Sequence, residues 1–326
     1  MTESALAKEN SEQDLEQACT TIESVVQNVQ KVIQGKEPVI RQALACWLAG
    51  GHALIEDVPG TGKTVLAKAI ARSVNVPNSR IQFTPDLLPS DIIGYPVYSK
   101  ETGKFTFSPG PIFTSVLLAD ELNRATPRTQ SALLEAMAEG HCTSEKRTMK
   151  LPRNFFVVAT QNPIEQHGTF PLPEAQLDRF MIRMAVGYPS QAAEASVVRA
   201  QMFSHPIESL EPVIDEASWE QVRTLVRQVS VSDSIIKYAL ALVEATRQSQ
   251  HLTVGASPRA SIALIRLSQA FSLMYRLSYV KPDFVKYVAP AVLTHRLLLT
   301  TKARLEKVTA SQIVDEILNS IAVPMR

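Results

Sequence analysis

The run Asp57-Val58-Pro59-Gly60-Thr61-Gly62-Lys63-Thr64 follows a short apolar segment, Ala53 to Glu56, and opens a stretch with helical spacing. Glycines at such a junction let consecutive backbone N–H groups turn inward onto phosphate oxygens. A helix N-terminus beneath them favours an anion. In that arrangement Lys63 reaches the β- and γ-phosphates of a nucleotide and the Thr64 hydroxyl ligates Mg2+. Pro59, Gly60, Thr61, Gly62 and Val65 complete the nucleotide-binding set. The general pattern GxxxxGK[ST] has glycine where Asp57 stands. Aspartate tolerates unusual backbone angles better than most residues, which is the expected reason it is accepted there. A plain turn and helix cap would use the same residue types; the order strand, loop, helix is what favours phosphate.

Two further strand ends carry polar groups. Val116-Leu117-Leu118-Ala119 ends in Asp120-Glu121, and an acid at the C-terminal end of a parallel strand sits where such sheets bind ligands. Asp120 would hold Mg2+ through its water shell, and Glu121 would orient and polarise an attacking water, which favours hydrolysis over transfer. Two acids there can also form a solvated turn; their pairing with the upstream phosphate loop favours catalysis. Phe155 to Ala159 ends in Thr160-Gln161-Asn162-Pro163. The Asn162 amide both donates and accepts, so it could bond a γ-phosphate and the lytic water together. An Asn-Pro pair also makes an ordinary turn.

Two arginines stand out. Ser257-Pro258-Arg259 reads as an N-cap, a first-turn proline and a cation,. A cation in the first turn opposes the helix dipole, so Arg259 makes better sense beside an anion. Arg179, in Leu177-Asp178-Arg179-Phe180, follows a short helical segment where a cation is favourable on its own account.

These groups need a frame. The segments Ala53–Glu56, Arg80–Phe83, Val116–Ala119, Phe155–Ala159 and Met181–Val186 are near-continuously apolar, as in a parallel sheet covered on both faces,. Helical patterns at Thr64–Ser73 and Thr126–Glu139 lie between them, and Gln13–Ile33 and Pro38–Ala49 precede them. The expected architecture is α/β. After residue 190 the apolar positions step by three and four, as at Ile235, Ala239, Leu242 and Val243, or Ile262, Ile265, Leu267 and Phe271,. Eleven of the twelve glycines precede residue 190, so the second part reads as helical with few breakers. The expected division is a polar tail over 1–15, a nucleotide-binding domain over 16–189 and a helical domain over 190–326. Two insertions interrupt the first domain. Asp91–Pro111 reads as a hairpin bearing Tyr95, Tyr98, Phe105 and Phe107, which could contact a partner or substrate or simply pack on a neighbouring subunit. His141–Pro152 reads as a polar hairpin around Ser144-Glu145-Lys146-Arg147.

The 326 residues are 45% apolar and carry a net charge of +1. That balance gives no general pull toward nucleic acid or membranes. No run approaches the roughly 18 apolar residues of a membrane span, and no secretory pattern opens the chain. The three cysteines and six histidines form no CxxC or HxxxH pair, so a zinc site or disulfide framework is not expected and a reducing cytoplasm fits.

The run from Gly51 to Pro189 resembles the MoxR family of AAA+ ATPases. The similarity is carried by Val58–Thr64, by Leu118-Ala119-Asp120-Glu121-Leu122-Asn123-Arg124-Ala125, by Thr129–Met137, by Ala159–Pro163 through Asp178-Arg179-Phe180, and by Gly255–Ala260. The resemblance implies a P-loop core with a parallel five-stranded sheet and a helical lid. It assigns Lys63 and Thr64 to Walker A, Asp120 and Glu121 to Walker B and Asn162 to sensor 1. Arg179 becomes the arginine finger, and Arg259 a sensor 2 acting from a neighbouring subunit. Ile33-Gln34-Gly35-Lys36 corresponds to the stretch that cradles adenine, with Ile33 and Gly35 in contact. Asp91–Pro111 is then the helix-2 insertion and His141–Pro152 the hairpin before sensor 1. The implied substrate is ATP with Mg2+, bound between subunits of a homo-oligomeric ring, six-membered by expectation. Such ATPases activate or remodel partner complexes, often beside a protein with a von Willebrand factor A domain. A chelatase-type subunit or a nucleic-acid-stimulated motor of the same clade would share the ATPase core. No NKxD-like guanine-reading motif appears, which disfavours GTP.

Overall fold

The computed structural model describes residues 3–101, 103–144, 147–162, 168–202 and 205–324. The chain opens with α1 (Glu3–Gln30) and α2 (Glu37–Leu48), then β1 (Ala53–Glu56), α3 (Lys63–Ser73) and β2 (Asn78–Gln82). A short α4 (Pro89–Ile93) leads into β3 (Gly94–Ser99) and β4 (Lys104–Pro109). There follow β5 (Val116–Asp120), α5 (Pro127–Glu139), β6 (His141–Ser144), β7 (Arg147–Lys150), β8 (Phe156–Gln161), α6 (Glu174–Leu177) and β9 (Ile182–Met184). The remainder is α7 (Gln191–Gln201), α8 (Glu216–Val226), α9 (Asp233–Gln248), β10 (Leu252–Val254), α10 (Pro258–Met274), α11 (Pro282–Leu293), β11 (Leu298–Leu299), α12 (Thr301–Leu305) and α13 (Ala310–Ser320).

β2, β5, β8, β1 and β9 form one five-stranded sheet in that order, and every pairing in it is parallel. Alternate side chains of its central strands feed two different cores. Ala53, Ile55, Val116, Leu118, Phe156 and Val158 pack on the side of α1, α2, α3 and the lid. Leu54, Leu117, Ala119, Val157 and Ala159 pack on the side of α5. Both faces are dry, so the strands show no polar alternation, and the sheet is legible only as apolar runs. Because β1, β5 and β8 are adjacent and parallel, their C-terminal ends place Asp57, Asp120, Glu121 and Asn162 along one edge.

β2 departs from expectation. It spans Asn78–Gln82, two residues earlier than the apolar run Arg80–Phe83 suggests. It is an edge strand whose Asn78 and Arg80 are exposed and whose Ser79 is half-buried, so a polar sequence can occupy it. The first helix begins at Glu3 and reaches back through the segment expected to be a polar tail. Both insertions are antiparallel hairpins. β3 and β4 pair from Gly94↔Pro109 to Ser99↔Lys104, with Tyr95, Tyr98 and Phe105 exposed and the Tyr98 and Phe105 rings 5.3 Å apart. β6 and β7 pair from His141↔Lys150 to Ser144↔Arg147; Glu145 and Lys146 at the tip lie outside the described residues.

The C-terminal part is helical apart from the short antiparallel pair β10–β11. It shares the first core rather than forming a separate one. Trp47 of α2 is the joint: fully buried, it stacks on Phe156 of β8 at 5.6 Å and lies 4.7 Å from Trp219 of α8. Its indole N–H donates to the Asn154 carbonyl at 2.7 Å. Among the described residues no helix is long and apolar enough to cross a membrane.

Candidate nucleotide site

Between β1 and α3 the chain makes a loop with Gly60 at φ +83° and Gly62 at φ +88°. An added Cβ would meet nothing within 4 Å at Gly60 and only the Ile33 side chain, at 3.6 Å, at Gly62. The glycines are therefore required by backbone angle and not by space. Gly62 caps α3 with no side-chain hydrogen bond, which leaves the first N–H groups of the helix to face an anion. The Lys63 ammonium lies over the loop, donating to the Asp57 and Val58 carbonyls at 2.9 Å each.

Asp57 sits there for another reason than the one expected. It is not among the residues with positive φ, so tolerance of strained backbone does not explain it. Its buried carboxylate accepts from its neighbour Val58 N–H at 2.8 Å, and from Val186 and Gly187 N–H at 2.9 and 2.6 Å. One side chain thus ties the phosphate loop to the segment that leaves β9 for the lid.

A cleft of about 340 Å³ is lined by Pro59, Gly60, Lys63, Thr64, Asp120, Glu121 and Asn162, among others. A cavity of about 210 Å³ is lined by Val32, Ile33, Thr61, Gly62, Val65, Val197, Ala200 and His205, among others. Gly60, Gly62 and Val65 border both. An apolar pocket continuous with a glycine-rich, cation-bearing cleft has the form a nucleoside polyphosphate needs, base in one and phosphates in the other. Gly35, expected beside the base, holds φ +71° in the turn that carries Ile33 and Lys36 to this cavity. Lys36 donates to the Tyr188 carbonyl at 2.7 Å, joining that turn to the lid connection.

Asp120 and Glu121, the pair expected as Walker B, are held by residues that motif reading passed over. The Thr160 hydroxyl donates to one Asp120 oxygen at 2.6 Å and accepts from the Glu121 N–H at 2.9 Å. Arg80 of β2 donates to the other Asp120 oxygen at 2.8 Å and to Gln82 Oε1 at 2.7 Å. Gln82 in turn donates to Glu121 Oε2 at 2.8 Å, where Arg124 also donates at 2.8 Å. Glu121 adopts a left-handed conformation, φ 56° and ψ 49°, a strain of about 1–3 kcal/mol of the kind that clusters at functional sites. The only sequence signal for this clasp was Arg80 and Gln82 two apart on an edge strand, which puts both side chains on one face. Thr64 and Asp120 offer hard oxygen donors in the same cleft, a donor set that suits Mg2+,.

Arg179 and Arg259 are elsewhere. They line a third cavity of about 290 Å³, between α5, the α6–β9 connection, α10 and the turn before β1, which shares no residue with the other two. Asp178 organises it. Its carboxylate accepts from Ser257 Oγ at 3.0 and 2.9 Å and from Arg296 Nε at 2.8 Å, and the Arg259 guanidinium lies 3.7 Å away. Burial lowers the pKa of Arg296, and its bond to Asp178 opposes that shift. His52 at the cavity floor accepts from Val157 N–H at 3.0 Å and faces the Met137 carbonyl at 3.2 Å. That pattern fixes a neutral ring with the proton on Nε2. Burial brings its pKa down to about 4.

Residues 52–182 match a family model described as the ATPase family associated with various cellular activities (AAA), and residues 244–317 match the AAA lid domain. The chain is 48% identical over 92% of its length, and 94% of the relative's, to uncharacterized protein YeaC of Bacillus subtilis. It is 37% identical to chaperone MoxR1 of Mycobacterium tuberculosis, covering 93% of this chain and 82% of that one. It is 28% identical to protein MoxR of Methylorubrum extorquens, covering 90% and 91%. The crystal structure of a candidate ATPase from Cytophaga hutchinsonii superposes with a TM-score of 0.91 at 36% identity, covering 98% of this chain and all of that one. Fold, phosphate loop, lid and relatives agree: the chain belongs to the MoxR family of AAA+ ATPases.

Proposed function

We propose that the protein hydrolyses ATP between copies of itself in a hexameric ring and uses the cycle to remodel or activate partner complexes. The observation that best supports this is a separation. Lys63, Thr64, Asp120, Glu121 and Asn162 share one cleft, whereas Arg179 and Arg259 line a cavity with no residue in common with it. Arginines that stabilise the charge of phosphoryl transfer act in cis or from a neighbour; the separate cavity favours the neighbour. Assembly then completes the site, and hydrolysis is coupled to it.

In this reading the base occupies the apolar cavity and Lys63 leaves the loop carbonyls for the β- and γ-phosphate oxygens. Thr64 and Asp120, the latter through its water shell, would hold Mg2+, which would neutralise charge on the phosphates. Glu121 accepts the proton of the attacking water as the new O–P bond forms and the β–γ bridging bond breaks, giving ADP and phosphate. For that its carboxylate must be released from Gln82 and Arg124, whose donors occupy Oε2. Asn162 positions the water against the γ-phosphate. Exposed Tyr98 and Phe105 on the β3–β4 hairpin offer a contact for a client protein. The name of the Mycobacterium relative supports a chaperone role. A von Willebrand factor A domain protein is the expected partner, and the cytoplasm the expected location.

Measured by equilibrium nucleotide binding and phosphate release, Lys63→Ala loses ATP. Glu121→Gln keeps ATP but turns over at least about 100-fold more slowly, the usual worth of a general base. Near-normal turnover in Glu121→Gln would remove the assignment.

A further inference from the structure

The cavity that holds Arg179 and Arg259 takes in another cation, Arg266, which no motif marks. On α10 the residues Arg259, Ile262, Ala263 and Arg266 stand at i, i+3, i+4 and i+7, one face of the helix,. Periodicity alone would bury Ile262. Instead it is 53% exposed, an apolar side chain between two arginines, while the buried face runs through Ala260, Leu264, Leu267 and Phe271.

The charge balance of this cavity is one-sided. Arg179, Arg259, Arg266 and Arg296 line it against a single carboxylate, Asp178. That carboxylate is already engaged by Ser257 and Arg296, and its second oxygen lies 3.7 Å from Arg259. His52, the remaining titratable group there, stays neutral in its buried site. The side chains of Arg179 and Arg266 have no hydrogen bond or ion pair among the described residues. With one carboxylate shared by Arg259 and Arg296, the guanidinium groups of Arg179 and Arg266 are best matched by a polyanion, and their planar forks suit phosphate. Seven residues advance about 10 Å along a helix, so flexible arms from Arg259 and Arg266 can converge on one polyphosphate.

We propose that Arg266 is a third interface cation: it bonds the terminal phosphate of the nucleotide held by an adjacent copy of this chain, beside Arg179 and Arg259. This rests on the intersubunit reading above. The occupant fits on two counts. The neighbour's cleft presents Asp120, Glu121 and a triphosphate to a cationic cavity, and its surface would cover the exposed Ile262.

The test uses Arg266→Gln and Arg266→Lys, whose exposed position leaves the fold unburdened. Sedimentation velocity follows assembly with Mg2+ and either ADP or a slowly hydrolysed ATP analogue. The expected result is that Arg266→Gln needs about tenfold more protein to assemble on the analogue, the usual scale for one charge-assisted hydrogen bond. Arg266→Lys should fall between it and the wild type, and assembly on ADP should change far less. A second arm titrates inorganic tripolyphosphate into Lys63→Ala, whose own phosphate loop is disabled; adding Arg266→Gln should weaken that binding about tenfold. Equal weakening on ADP and analogue, with tripolyphosphate binding unchanged, would assign Arg266 to a neighbouring carboxylate and overturn the proposal. No change in either arm would also overturn it. A wild-type protein that fails to assemble on the analogue would overturn the intersubunit reading itself.

Discussion

Replacing Asp57 with glycine restores the general Walker A pattern, and on pattern grounds it should be neutral or helpful. The structure predicts the opposite. The carboxylate accepts three backbone N–H bonds, from Val58, Val186 and Gly187. Of these, the bond from Val186 is fully buried and the others partly so. Stranding one buried N–H costs about 1–3 kcal/mol, and the two partly buried donors recover water at some further loss. Glycine adds about 0.5–1 kcal/mol of chain entropy to the unfolded state. Asp57→Gly should therefore destabilise the protein by about 2–4 kcal/mol. Asp57→Ala should do slightly better, since it carries the same lost bonds without the extra entropy. Urea unfolding at neutral pH measures both. Nucleotide affinity should fall as well, because the carboxylate pins the loop whose N–H groups and Lys63 would grip the phosphates. A stability within about 0.5 kcal/mol of wild type, the scatter of surface substitutions, would refute the reasoning.

Three further outcomes follow from packing and protonation. Trp47→Ala removes the ring that joins β8, α2 and α8, and should cost about 3–5 kcal/mol by denaturant unfolding; a loss below 1 kcal/mol would show that the lid does not share the core. Burial lowers the pKa of His52 to about 4 and drives that of His295 well below 6.5. The unfolded chain then binds more protons than the native one, so this contribution is intact above about pH 6.5 and lost as pH falls toward 4. For His52 the loss approaches about 3 kcal/mol. His52→Gln, which cannot titrate, should show a shallower decline of stability between those limits, and parallel declines would rule the effect out. Freeing Glu121 by Gln82→Ala should change turnover while leaving ATP affinity within about twofold, a difference under 1 kcal/mol; a large loss of affinity would show that Gln82 supports the nucleotide itself.

How far the sequence carried the reading depended on what each residue had to do. The gathering of the glycine-rich loop, Asp120, Glu121 and Asn162 was legible because each stands at the C-terminal end of an apolar run, and the sheet brings those ends to one edge. The central strands were legible because burial on both faces leaves unbroken apolar runs such as Val116–Ala119. The start of β2 was not: the apolar run marked Arg80–Phe83, and an edge strand imposes little on Asn78 and Ser79 ahead of it. The clasp of Arg80, Gln82 and Thr160 on the Walker B acids was hidden for a related reason. Its members are ordinary polar residues whose role arises only when β2, β5 and β8 lie side by side. Asp57 was misread because a motif departure suggested backbone tolerance, while its partners Val186 and Gly187 lie 129 and 130 residues away. Ile262 broke the rule that periodic apolar residues point inward, and in doing so marked a face of α10 beside two arginines.

Mixed assembly tests the central claim most directly. Arg179→Ala keeps an intact cleft but lacks the proposed finger, and Lys63→Ala keeps the proposed finger but should not hold ATP. Each alone should bind or fail to bind ATP as its own cleft dictates, and each should turn over at least about 1,000-fold more slowly than wild type. If the two cavities are completed by different copies, mixing the variants restores phosphate release with a maximum at an intermediate ratio. No recovery at any ratio, with both proteins shown to co-assemble, would contradict the account.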